Sequence, residues 1–202
     1  MMIPVLSEAQ AYLRKAETLN PGPWVSHSVR VAEAARAIAD LYPRLDGETA
    51  YTLGLLHDIG RREGVTGMRH VLDGYLYLLN EGYPEAARIC LTHSFPVQNV
   101  YAGSATWDCT DEELQVVKDS LARVEYDDYD RLFQLCDSVA VPDGFCLVEK
   151  RWVDVLIRYQ NFNEFTIPKW QAIFDIQRDF ESVIGRNIYS LLPGVKETTF
   201  GF

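Results

Sequence analysis

The chain has 202 residues, 48% of them hydrophobic and 24% charged, the balance of an ordinary globular protein with room for one sizeable core and too little for two. A formal net charge of −10 and a pI near 4.8 give a surface that on average repels nucleic-acid polymers and anionic lipid. The first twenty residues lack the basic start and apolar core of a secretory signal, and no window approaches about 18 consecutive apolar residues, so a cytoplasmic location is expected.

Ser7 with Gln10 resembles a capping box opening a first short helix, which the turn Asn20-Pro21-Gly22-Pro23 stops. From Ser26, the residues Val29, Val31, Ala32, Ala35, Ile38 and Ala39 recur at three- and four-residue spacing until Pro43, predicting a second helix. A third is expected over 48–59, stopped at Gly60, and a fourth over 69–80, ending before Gly82. Pro84 suits the first turn of a fifth, which runs on to Pro96. Residues 95–110 show no clear period and form the longest loop, a candidate lid or specificity loop. Thr110 with Glu113 marks a second capping box, opening a helix over 111–124. Helical patterns follow over 126–141, 148–160 and 168–192, with a polar tail from Pro193 and no clear strand. The expected fold class is therefore all-α, as a single domain. Cys90, Cys109, Cys136 and Cys146 form no Cys-x-x-Cys pair and read as reduced, mostly buried thiols.

The four histidines of the chain, His27, His57, His70 and His93, each fall near an end of a predicted helix, alternately a start and a stop. One such histidine is more often a hydrogen-bonded core residue than a ligand. Antiparallel helices joined by short turns, however, bring alternate starts and ends to one side of a bundle, so all four can meet. Imidazoles alone leave a doubly charged ion uncompensated, and two carboxylates are placed to join them: Asp58, beside His57, and Asp137, in the apolar run FQLCDSVAV.

The order His27, His57-Asp58, Asp137, with GLLHDIG intact over 54–60, resembles the HD-domain superfamily of metal-dependent phosphohydrolases over roughly residues 24–141. That resemblance implies an all-helical bundle with metal ligands His27, His57, Asp58 and Asp137. It divides the chain into an N-terminal helix and turn (1–23), a metal-binding core (24–145) and C-terminal helices packing on the core (146–202). His70 and His93 align with the extra histidines of the two-metal branch, which includes the YqeK-type hydrolases. There Asp58 bridges to a second ion held by His70 and His93, and a metal-bridging hydroxide attacks a phosphate ester or anhydride of a nucleotide or other small phosphorylated metabolite. Such ligands fit Fe, Mn, Co, Ni or Zn, with Fe or Mn favoured by the resemblance.

With Asp58, Arg61 and Arg62 are candidate catalytic residues, the two arginines as bidentate phosphate contacts; Arg69 and Tyr101 are further candidates for substrate binding. Lys150 and Arg151 are weaker candidates, and Tyr83 and Trp107 are aromatic residues able to stack on a base. The expected partner is a small phosphorylated substrate, with no nucleic-acid polymer and no membrane, and a homodimer is allowed. The alternative is a di-iron oxygenase of a small polar substrate, because a few such enzymes share this bundle and ligand set.

Overall fold

The computed structural model describes residues 2–201. Its helices, in chain order, are α1 (Leu6–Leu19), α2 (Pro23–Ala39), α3 (Gly47–Leu56), α4 (Arg69–Asn80), α5 (Pro84–Thr92), α6 (Asp111–Ala122), α7 (Asp128–Asp137), α8 (Val148–Tyr159), α9 (Thr166–Ile184) and α10 (Val195–Phe200). A 3₁₀ turn, Ile59–Glu63, links α3 to α4, so the fold is an all-α bundle as expected.

Several boundaries differ from the sequence reading for local reasons. The first helix is capped at Val5, whose N–H donates to Glu8 Oε2 at 3.1 Å, two residues earlier than the Ser7 box implies. The capping box at Thr110 forms as expected, with Glu113 N–H donating to Thr110 Oγ1 at 3.2 Å and Thr110 N–H to Glu113 Oε2 at 2.8 Å. Asp127 caps α7, accepting from the N–H groups of Tyr129 and Asp130. That helix stops at Asp137 rather than running to Val141, because Ala140–Val141 pairs with Gly144–Phe145 in a small antiparallel ribbon. The polar tail is in part the helix α10, which docks on this ribbon: Leu147 N–H donates to Thr199 Oγ1 at 3.2 Å.

Glycines set how closely the central elements approach. At Gly54 of α3 a Cβ would lie 2.5 Å from Ala32 Cα of α2, so these two helices meet backbone to backbone. The alanines Ala32, Ala35 and Ala39, all buried on α2, allow that contact. Leu53, Leu56 and Ile59 are fully buried on either side of the His57–Asp58 doublet. At about 1.5–3 kcal/mol for each such side chain, they hold the doublet in place. A second cluster of buried residues, including Leu72, Phe95, Val117 and Leu121, fills the space between α4, α6 and the 95–110 segment. Cys90, Cys136 and Cys146 are buried free thiols and Cys109 is partly buried.

Candidate metal centre

The third helix ends one residue before His57, and Asp58 leaves helical geometry at φ −107°, ψ 16°. The expected helix over 48–59 is therefore interrupted at the doublet, and the interruption lets the two side chains reach different partners. Glycine at position 60 follows from packing: a Cβ there would lie 2.0 Å from the carbonyl oxygen of His70. The 3₁₀ turn thus presses on the start of α4 and brings His70 towards Asp58.

Three imidazoles are pinned in the same way. Nδ1 of His57 donates to Gly54 O at 2.8 Å, Nδ1 of His70 to Gly67 O at 2.6 Å, and Nδ1 of His93 to Cys90 O at 2.9 Å. A carbonyl only accepts, so each Nδ1 carries a proton, and in a neutral ring Nε2 is then the lone pair; that of His70 also faces Arg61 Nη2 at 3.5 Å. These lone pairs converge. His70 Nε2 and His93 Nε2 lie 3.3 Å and 3.6 Å from Asp58 Oδ1, and the ring centroids of His57 and His93 are 5.0 Å apart.

Burial, together with the Arg61 cation, pushes His70 down to about 3, and burial with His57 alongside pushes His93 down to about 4. Burial also lowers His27, against the pull of Asp137. Burial by itself would raise Asp58, but Arg61, whose Nε donates to Asp58 Oδ2 at 2.6 Å, holds the carboxyl well below the usual range with help from the surrounding histidines. At neutral pH, then, an ionised carboxylate oxygen faces two unprotonated imidazole nitrogens with no proton between them. Buried His57 Nε2, Asp58 Oδ1 and His27 Nδ1 have no hydrogen-bond partner. Unpaired polar atoms in a dry site are costly, and a cation among them removes that cost. The donor set fits a divalent transition metal.

Two groups of ligand atoms fall within 4.8 Å of one another, His27 with His57 and Asp58, and Asp58 with His70 and His93. Asp58 belongs to both. Asp137 is joined to the cluster through His27, whose Nε2 donates to Asp137 Oδ1 at 2.8 Å. Burial opposes ionisation of Asp137, but His27 and Arg151 overcome it and shift the carboxyl strongly downward.

Of these groups, His27, Asp58, His70, His93 and Asp137 form the floor of a cavity of about 310 Å³. Among the sequence candidates, Arg61 lines it, with Oδ2 of Asp58 as its partner. Arg62 lies instead over the Tyr77 ring at 4.0 Å and pairs with Glu63. Arg69 makes a two-pronged contact with Glu113, at 2.8 and 2.7 Å, on the flank of α4. Tyr101 is 53% exposed over a separate, shallower depression. Tyr83 packs on Tyr12, and Trp107 stacks on Phe95 with its indole N–H donated to Val100 O. Lys150 pairs with Asp154 on the outer side of α8.

The wall opposite the turn at 20–23 is α8, which contributes Arg151, Trp152, Val155, Arg158 and Tyr159. Sequence reasoning gave Arg151 only a weak place and missed the others. Their signal is a stripe: at 100° per residue these five positions span about 120° of the helix surface.

The family model described as HD domain matches residues 24–141. This chain belongs to the HD-domain family. Its members are in general metal-dependent phosphohydrolases that bind divalent metal, and the His/Asp groups of this HD domain fit such a metal. The match covers the helices that supply the floor and ends at the β-ribbon, so α8 and α9 lie beyond it. Comparison with curated proteins and with solved structures returned no match. Among the described residues, no helix is long and apolar enough to cross a membrane.

Proposed function

We propose that this HD-domain protein hydrolyses a phosphate ester or anhydride of a nucleotide or another small phosphorylated metabolite, at a centre holding two ions. One ion takes His27, His57, Asp58 and Asp137, and the other takes Asp58, His70 and His93. The observation that carries the reading is Asp58, whose buried Oδ1 faces the Nε2 atoms of His70 and His93 and whose carboxylate belongs to both groups of ligand atoms. The intact His57-Asp58-Ile59-Gly60 string and the two further histidines support the six-ligand, YqeK-like branch, and with it iron or manganese ahead of cobalt, nickel or zinc. Divalent ions so held supply a water of lowered pKa and positive charge towards the phosphoryl oxygens.

The chain's own residues do the rest. Arg61 keeps Asp58 ionised and fixes its rotation by engaging Oδ2, which leaves Oδ1 for the histidines. The Nδ1 hydrogen bonds of His57, His70 and His93 keep their Nε2 atoms aimed inward before anything binds, so no reorientation is needed on binding. Arg151 extends from α8 to within 3.9 Å of Asp137 Oδ1, where its guanidinium can hold a phosphate oxygen over the floor. Trp152 and Val155 give the same wall an apolar surface that excludes water from the reacting group. In this reading residues 24–145 are the metal-binding core, 1–23 supply the rim through the turn at 20–23, and 146–202 complete the substrate pocket. A cytoplasmic site of action suits the reduced thiols and a small phosphorylated substrate.

The test combines metal analysis with phosphate release. Protein purified without chelator should carry two equivalents of transition metal. It should release phosphate from some member of a nucleotide and sugar-phosphate panel in the absence of O₂. Asp58→Asn and His70→Ala should each abolish release. Turnover that survives both substitutions, or that requires O₂, overturns the hydrolytic reading.

A further inference from the structure

Arg151 and Arg158 stand on one face of α8, seven residues and so about 10 Å apart along the helix axis. Arg151 is the inner of the two, with its side chain 13% exposed and its guanidinium beside Asp137. Arg158 is exposed towards the mouth of the same cavity. The charges along this line do not balance within the protein. Arg61 is matched by Asp58, and Arg151 by Asp137. Arg158 has no carboxylate partner among the described residues, and its guanidinium carbon lies 5.9 Å from the centroid of the Tyr159 ring. A guanidinium over a cavity with no carboxylate beside it, in a chain of net charge −10, marks a part of this pocket where an added anion meets attraction. Between the two arginines, the buried indole N–H of Trp152 also lacks an acceptor.

We infer that the substrate carries a second anionic group, a phosphate or carboxylate, about two helical turns from the scissile phosphate, and that Arg158 is the residue that selects for it. The inference rests on the phosphohydrolase reading for the words "substrate" and "scissile", but the preference itself is a property of binding. The reacting phosphate lies on the floor beside Arg151, the linking carbons run past Val155, and the far anion meets Arg158. A compact ligand with anions at both ends satisfies the wall. A mononucleotide, whose far end is a neutral base, leaves Arg158 unpaired.

The probes are hexane-1,6-bisphosphonate and hexylphosphonate, which differ by one terminal anion and have carbon–phosphorus bonds that hydrolysis does not cleave. Calorimetric titration of the manganese-loaded protein should show the bisphosphonate binding at least tenfold tighter. Arg158→Ala should abolish that preference and leave the affinity for hexylphosphonate unchanged, while Arg158→Lys should restore part of it. Equal affinities in the unsubstituted protein, no binding of either probe, or an Arg158→Ala variant that weakens both alike would each overturn the inference. A bisphosphonate preference without phosphate release from any ester keeps this inference and removes the hydrolytic reading. Phosphate release without the preference does the reverse.

Discussion

His27, Asp58, His70 and His93 on the floor of the cavity are all buried, as is the neighbouring His57, and the imidazoles of His57, His70 and His93 are pinned by a hydrogen bond to a main-chain carbonyl. On the facing wall the arginines and aromatics of α8 are long side chains on a helix surface, with Arg158 and Tyr159 exposed. The floor lies within the HD-domain match and the wall beyond it. A buried, pre-aimed donor set suits a step whose geometry is fixed by a metal and a phosphoryl group. A half-exposed helix face can change its side chains without disturbing the fold, which suits discrimination among ligands. The contrast predicts that floor substitutions remove the reaction, whereas wall substitutions change which molecule reacts and how tightly it is held.

Asp58→Asn should give the largest effect. It removes the charge shared by both ligand groups and leaves the partly buried Arg61 without its partner. Phosphate release should fall by more than about a hundredfold, since even outer-shell partners of a metal are typically worth 10–100-fold, and bound metal measured by elemental analysis should fall with it. Retained metal and retained turnover would dissolve the distinction between floor and wall. Gly60→Ala ranks next. Its Cβ meets the His70 carbonyl oxygen at 2.0 Å, so the turn and α4 must separate. Overpacking of this kind costs about 1–3 kcal/mol, to be read as a lower urea midpoint, and metal affinity should drop because His70 moves away from Asp58.

Arg151→Ala tests the wall. Loss of a charged hydrogen bond of about 1.5–3 kcal/mol should raise KM by roughly tenfold or more. The metal content should be unchanged, because the guanidinium touches Asp137 only at 3.9 Å and through a long contact to its carbonyl oxygen. A loss of metal instead would place Arg151 with the floor.

The pH dependence separates the two regions again. In the metal-free protein, His70 and His93 have folded values of about 3 and about 4, below the unfolded value of about 6.5. The unfolded chain therefore takes up protons below about pH 6.5 that the folded chain refuses. Stability is fully present above that pH and is lost as pH falls towards 4 and then 3, by up to about 1.4 kcal/mol per pH unit for each histidine. Urea midpoints of the metal-free protein between pH 8 and pH 4.5 should follow this slope, and His70→Gln should flatten it. Arg158→Ala should leave the slope as it is, since an arginine does not titrate in that range.

Much of the floor was legible in the sequence because helix punctuation is local. Pro84 opens α5 as expected, the turn at 20–23 separates α1 from α2 although α2 already starts at Pro23 rather than Ser26, and Gly60 falls within the 3₁₀ turn, four residues past the end of α3. Placing four histidines at alternate ends was enough to suggest their convergence. The interruption at Asp58 was not legible, because it follows from a close approach between Gly60 and His70 that only tertiary packing creates. The ribbon after Asp137 was hidden for a similar reason: two-residue strands carry no period. The wall was missed because its stripe of Arg151, Trp152, Val155, Arg158 and Tyr159 has the pattern of any amphipathic helix packed on a core. Nothing in that pattern states that the surface opposite is a cavity.

The smallest expected effect is the most discriminating for the arginine pair. Arg61 and Arg62 are adjacent and chemically identical, and phosphate contact suits either one on sequence grounds. The structure sends them apart. Arg61 lines the cavity with Nε on Asp58, whereas Arg62 turns over the Tyr77 ring and pairs with Glu63, whose carboxylate is 56% exposed. A surface ion pair contributes about 0–1 kcal/mol and a cation over an aromatic ring roughly 0.5–2 kcal/mol. Arg62→Ala should therefore lower the urea midpoint slightly and leave metal content, KM and kcat where they were. Arg61→Ala should weaken metal retention, because Asp58 loses the partner that holds its charge and its rotation. Kinetics and metal analysis on the two variants side by side decide the point. If Arg62→Ala raises KM as much as Arg61→Ala does, the 3₁₀ turn presents both guanidinium groups to the ligand, and the boundary of the floor must be moved to include it.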